Sequence, residues 1–202
     1  MGHIDAKKKS KEEAIYQESF QLFVKKGFDK TTIADIAKAS GLAKGTFYLY
    51  FSDKYELRDK LIARASRKLL DRAWDRLVEE QTDGFYDQTV RFVDIILDYF
   101  EENPMVLLFI EKNLSMGILQ ETLVEGDSGQ EGRFLSRLSG MLKAEGLRAE
   151  HPELLGFMIL ELANATGYSC ILDENPIPLA EYRPYLHACI RRIIDVCTES
   201  DD

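Results

Sequence analysis

The chain has 202 residues, 45% hydrophobic and 30% charged, which is ordinary usage for a folded protein that needs no disulfide or metal to stabilise its core. Disorder and fibrous repeats are excluded, and no apolar run reaches the ~18 residues that a membrane span requires. The formal net charge of -9 makes the chain as a whole a poor partner for polyanions.

The charge is unevenly spread. Residues 1–60 hold 12 Lys and Arg against 9 Asp and Glu, while residues 61–202 hold 14 against 26. The basic end opens with Lys7-Lys8-Lys9-Ser10-Lys11, with no apolar stretch behind it. That argues against a secretory signal and for a cytoplasmic protein with one end suited to phosphates. Strand-like alternation is absent, so the expected fold is all-α.

Between Lys11 and Lys26 the residues Ile15, Tyr16, Phe20, Leu22, Phe23 and Val24 form one broad helical face, closed by Gly27. Thr32 and Asp35 stand at capping-box spacing and open a short helix with Ile33, Ile36 and Ala37 on its inner side. Ser40-Gly41 stops it. A third short helix is expected over Ala43–Phe51, with Phe47 and Phe51 on one face and Lys44, Gly45 and Tyr48 on the neighbouring one. Asp53 and Glu56 open a long helix to about Glu80. Two short helices joined by a glycine turn and flanked by longer helices describe a helix-turn-helix, whose second helix fits the ~12 Å major groove of DNA.

The run from Gly27 to Phe51, with Asp53, Lys54 and Leu57, resembles the N-terminal DNA-binding domain of the TetR/AcrR family of bacterial transcriptional regulators. The resemblance spans Ile15 to Leu57. It implies an all-α homodimer, usually a repressor, that leaves a palindromic double-stranded DNA operator when a small-molecule effector binds. It also implies roles for particular residues. Thr31 or Thr32 caps the second helix and offers a hydroxyl to phosphate. Lys44 reaches a base edge or phosphate, Gly45 lets the backbone approach the groove, and Thr46, Tyr48 and Tyr50 contact phosphate or bases. Lys54 binds phosphate at the positive end of the long helix. For Gly45 packing is the other reading, and for Tyr50 a place in the core beside Phe47. Two positions depart from the family pattern: Ala43 stands where a serine often caps the recognition helix, and Leu49 offers an apolar contact to a thymine methyl.

The remaining chain is helical. Phe85, Val90, Phe92, Val93, Ile96, Leu97, Tyr99 and Phe100 mark a helix over about 85–103, followed by apolar helical sequence over 105–124 and a loop at 125–132. A helix then runs to about Ala144. The segment Leu154–Leu172 is apolar nearly all round, and Leu179–Cys197 forms the last helix. A small-residue stripe at Gly156, Ala163 and Gly167, with Leu160 and with Leu186, Ile190 and Ile193 on the last helix, suits a four-helix dimer interface; burial within one chain is the alternative. Phe157, Glu161, Asn164 and Tyr168 share another face and, with Phe92, Tyr99 and Phe109, are candidates for an effector pocket. Glu161 and Asn164 suit a wet rim or a bond across the dimer equally well. A single carboxylate among aromatics favours cationic or neutral apolar ligands over anions.

Cys170, Cys189 and Cys197 fit no metal motif, and His3, His151 and His187 join no acid or thiol cluster. No cofactor, metal or catalytic residue is expected, and the chain does not read as an enzyme. The domains expected are a helix-turn-helix over 1–52 and a regulatory and dimerisation domain over 53–202, linked by the helix 53–80. The competing reading is a helical ligand- or protein-binding module with a degenerate DNA-binding domain.

Overall fold

A computed structural model describes residues 2–110, 114–115 and 133–200. The helical sequence expected between Ile110 and residue 124, apart from 114–115, and the loop at 125–132 lie outside the described residues. The chain divides into two compact units, Met1–Ile62 and Ala63–Asp202.

In the first unit, α1 spans Gly2–Lys26, α2 Ile33–Ala39 and α3 Lys44–Phe47, and α4, Lys54–Glu80, begins there. Gly27 ends α1 at φ 85°, a left-handed conformation that glycine adopts without strain. The expected capping box opens α2: the Thr32 hydroxyl accepts from the Asp35 amide at 3.1 Å, and the Asp35 carboxylate accepts from the Thr32 amide at 3.0 Å. Lys26 Nζ lies 2.7 Å from the same carboxylate. Chiefly through that lysine, and then through both Thr32 contacts, the Asp35 carboxyl is lowered from 3.8 to about 2. A depressed carboxyl supports the fold above its ordinary range and loses that support as pH falls toward its folded value. The Asp35 side-chain resonance therefore titrates near 2 in the folded protein, and Lys26→Ala moves the NMR midpoint back toward the ordinary range.

α3 is shorter than expected. Ala43 supplies no side-chain cap, and after Phe47 the amides of Leu49 and Tyr50 turn back to Thr46 and Phe47 at i→i+3 spacing. Four helical residues cannot hold themselves together in water. Phe47 and Phe51, both fully buried with Ile15, Ile36 and Leu57, hold the segment in place instead.

The second unit contains the remainder of α4 and α5 (Phe85–Glu102), α6 (Pro104–Ile110), α7 (Arg133–Ala144), α8 (Pro152–Leu172) and α9 (Leu179–Cys197). Its core runs from Leu69 to Ile194, and α8 packs against α5, α6, α7 and α9. α8 has the length and composition of a membrane-spanning helix, as a buried core helix also can; Glu153 and Glu161 keep its uncharged runs below the ~18 residues of a span. One correction to the sequence reading is a small antiparallel ladder pairing β1, Leu147–Arg148, with β2, Glu199–Ser200.

The stripe assigned to a dimer interface is internal. A Cβ on Gly156 would lie 2.7 Å from the Phe134 ring, and one on Gly167 would lie 2.8 Å from Leu97. The small residues admit α7 and α5 of the same chain. Leu160, Ala163, Leu186 and Ile190 are buried with them, and Ile193 is half-buried against the same core. Polar pairs close the α5–α9 seam: Arg183 bonds Asp94 at 2.9 Å and Asp98 at 2.6 Å, His187 meets Asp94 at 2.9 Å, and Tyr86 meets Asp195 at 2.8 Å.

Candidate nucleic-acid interface

The α2–turn–α3 segment turns one side inward and the other to solvent. Phe47 and Phe51 anchor it, their ring centroids 5.7 Å apart. On the outer side Lys44 and Gly45 are exposed, Tyr48 is 50% exposed and Leu49 76%. An exposed leucine and tyrosine beside a lysine, on a short segment whose back is locked into a core, give a surface with hydrogen-bonding, apolar and cationic reach. Thr46 is half-buried. No Cβ placed on Gly45 would meet a neighbour within 4 Å, so nothing inside the unit requires a glycine there.

Three of the residues expected at the interface sit differently. Thr31 is fully buried, and its hydroxyl donates to the Gly27 carbonyl at 2.8 Å. It closes the α1–α2 loop, which leaves Thr32, exposed and capping α2, as the hydroxyl near solvent. Lys54 folds back: its Nζ donates to the carbonyls of Phe28 at 2.9 Å and Thr31 at 3.1 Å, and lies 4.2 Å from the centre of the Phe28 ring. Those carbonyls occupy the ammonium that was expected to meet phosphate. Asp53, whose Oδ1 accepts from the amides of Tyr55 and Glu56, caps α4 beside it. Tyr50 is half-buried, between its two readings. The sequence pattern does not single out Lys30 and Lys38, which are exposed at either end of α2; their charge next to the two-helix motif was the available signal.

Residues 15–61 match the family described as bacterial regulatory proteins, tetR family. The chain is 51% identical over 47 residues to the HTH-type transcriptional regulator YerO of Bacillus subtilis (strain 168), covering 23% of this chain and 16% of that protein. Residues 15–61 form a helix-turn-helix of the tetR-family type.

Likeness to known regulators continues beyond the helix-turn-helix. YhgD, an HTH-type transcriptional regulator of the same Bacillus strain, is 22% identical over 165 residues, 81% of this chain and 85% of its own length. A TetR family transcription regulator from Shewanella sp. PV-4 superposes with a TM-score of 0.60 at 22% identity, covering 94% of this chain and 98% of that one. FadR of Bacillus subtilis, solved with stearoyl-CoA, gives 0.58 at 15% identity over 88% and 96% of the two chains. At these identities the solved structures share the fold. The match over residues 15–61, together with the HTH-type transcriptional regulators among the relatives, marks the chain as a DNA-binding transcription regulator.

In the second unit an apolar cavity of about 20 Å³ is lined by Trp74, Thr89, Phe92, Phe134, Leu138, Met141, Gly156, Ile159 and Leu160. Of the seven residues expected to form a pocket, Phe92 alone lines it; Gly156 and Leu160, expected at an interface, line it as well. The Trp74 indole N–H is buried and finds no hydrogen-bond partner among the described residues. Glu161 is half-buried and accepts a hydrogen bond from the Ser115 hydroxyl of its own chain. Asn164 is buried, while Phe157, Tyr168, Tyr99 and Phe109 are half-buried. Tyr99 carries the Arg72 guanidinium 5.2 Å from its ring centre.

Proposed function

We propose that the protein is a repressor that binds a palindromic operator as a homodimer and is released by a small apolar effector. One observation carries the reading: Lys44, Gly45, Tyr48 and Leu49 stand outside a segment whose Phe47 and Phe51 are fully buried. Lys44 and Thr32 supply phosphate contacts, Tyr48 and Leu49 base contacts, and Gly45 gives the groove access to the backbone.

Homodimerisation is supported by the outer faces of α8 and α9, where Leu154, Met158, Tyr185 and Val196 are exposed. Leu154 and Val196 line one groove together with Arg148, Glu150, His151 and Glu199, so the two helices meet there in an apolar floor rimmed by both charges. A second copy covers such a face with self-complementary contacts, and the two recognition segments then meet half-sites about 34 Å apart or a multiple of that. The effector site is the cavity beside Trp74. Its apolar walls and one free N–H suit a neutral ligand carrying an acceptor, and admitting more than about one water's volume requires the side chains of Phe134, Leu138 and Met141 to move. An effector that prefers the opened cavity shifts DNA affinity by its own difference in affinity for the two states, and α4 is the element that belongs to both units.

Selection from random duplexes at fixed salt tests the reading. A recovered palindrome is expected, with Lys44→Ala and Tyr48→Ala each weakening binding to it by at least ~1 kcal/mol. Failure to enrich any sequence overturns it in favour of the module with a degenerate DNA-binding domain, a reading to which the uncapped start of α3 at Ala43 lends support.

A further inference from the structure

We propose that Lys7, Lys8, Lys9 and Lys11, on the amino-terminal turns of α1, form a second DNA-binding surface that grips backbone phosphates beside the recognition segment. The inference rests on the operator-binding reading above and adds to it a contact outside the helix-turn-helix.

Three consecutive residues of α1 fix it against the recognition segment. The Ala14 carbonyl accepts from the Ser40 hydroxyl, in the turn before α3, at 3.5 Å. Ile15 is wholly buried. The Tyr16 ring meets Phe51, just after α3, edge-on at 5.3 Å. On a helix, residues seven apart fall almost in line. Lys7 continues the row of Ala14, Lys8 that of Ile15 and Lys9 that of Tyr16, and Lys11 falls between the rows of Ala14 and Ile15. α1 is unbroken from Gly2 to Lys26, so Lys7 lies about 10 Å along the axis before Ala14.

The rows that carry packing residues at 14–16 therefore carry lysine at 7–9, with Lys11 between two of them, and all four lysines are exposed. These rows have passed the edge of the unit's core while remaining on the sides that, two turns later, touch both ends of the recognition segment. A ligand lying along that segment with negative charge repeated every few ångströms would reach them; the backbone of duplex DNA has this form. The charge is local. The first sixty residues are net basic in a chain of net charge -9, which favours docking by this end. Lysines grip phosphate as point charges without reading sequence, so the arm adds affinity and salt dependence and leaves base preference to Tyr48, Leu49 and Lys44.

The test compares the full chain with K7Q/K8Q/K9Q/K11Q, which removes charge while keeping good helix formers, on the selected duplex and on a scrambled one across a salt series. Because the variant homodimer no longer neutralises three to four phosphates per protomer, its slope of log K against log salt is shallower by about 6, so wild type and variant converge by about 10³-fold or more between ~50 and ~200 mM salt. Both duplexes are affected alike, and the fourfold Lys→Arg variant keeps the wild-type slope. An unchanged slope in a variant of native circular dichroism overturns the arm while selection by wild type leaves the operator reading standing. A changed preferred sequence also overturns it, since phosphate contacts carry none. A wild-type chain that selects no duplex overturns the reading beneath it.

Discussion

Phe47→Ala lowers the stability of the first unit by about 3–5 kcal/mol, the usual cost of deleting a buried phenyl ring, and removes DNA binding with it. Phe47 is fully buried and packs tilted against Phe51, which in turn meets Tyr16. α3 has four residues, no side-chain cap and a glycine among them, so little of its order comes from helix formation itself. Its aromatic anchors supply the rest. Tyr48→Ala, one residue along and half exposed, changes stability within about 0.5 kcal/mol yet weakens operator binding by at least ~1 kcal/mol. Chemical denaturation and a binding isotherm on each variant separate the two roles. Equal loss of stability in both variants would show that Tyr48 is part of the scaffold and not of the contact surface.

The helical organisation and the helix-turn-helix were legible because their signals are local. Thr32–Asp35, Ser40-Gly41 and the spacing of Phe47 and Phe51 each act through neighbours a few residues away, and each has the partner its spacing implies. Thr31 and Lys54 were not legible. The Lys54 ammonium is held by carbonyls more than twenty residues earlier, and the Thr31 hydroxyl is directed by the path of the α1–α2 loop. A side chain that satisfies the backbone of a distant loop has the same identity and local context as one that awaits a phosphate. The second unit shows the same limit on a larger scale. Gly156, Ala163 and Gly167 correctly signal close helix approach, but a row of small residues does not say whether the approaching helix belongs to the same chain. Phe134 and Leu97 decide that, and they lie on elements whose placement against α8 no periodicity encodes.

Whether the proposed dimer forms through the outer face of α8 is decided by a pair of variants with opposite expected outcomes. Met158→Glu combined with Tyr185→Glu places charge in the exposed apolar surface of α8 and α9, where neither residue belongs to the core. The variant keeps its helical content and melts near the wild-type temperature when both are monomeric, but sediments as a monomer at micromolar concentration. Operator affinity falls by about 10²–10⁴-fold, because the two half-sites no longer bind as one linked event. Gly156→Val acts through the opposite face. Its Cβ would meet the Phe134 ring at 2.7 Å, and overpacking of this kind costs about 1–3 kcal/mol, so the second unit melts earlier while the folded fraction remains dimeric. A buried glycine can weaken the assembly only by unfolding the chain, whereas a surface charge can dissolve it without touching the fold. A stable dimer of the double glutamate variant, or a folded monomer of Gly156→Val, would move the interface back to the small-residue stripe.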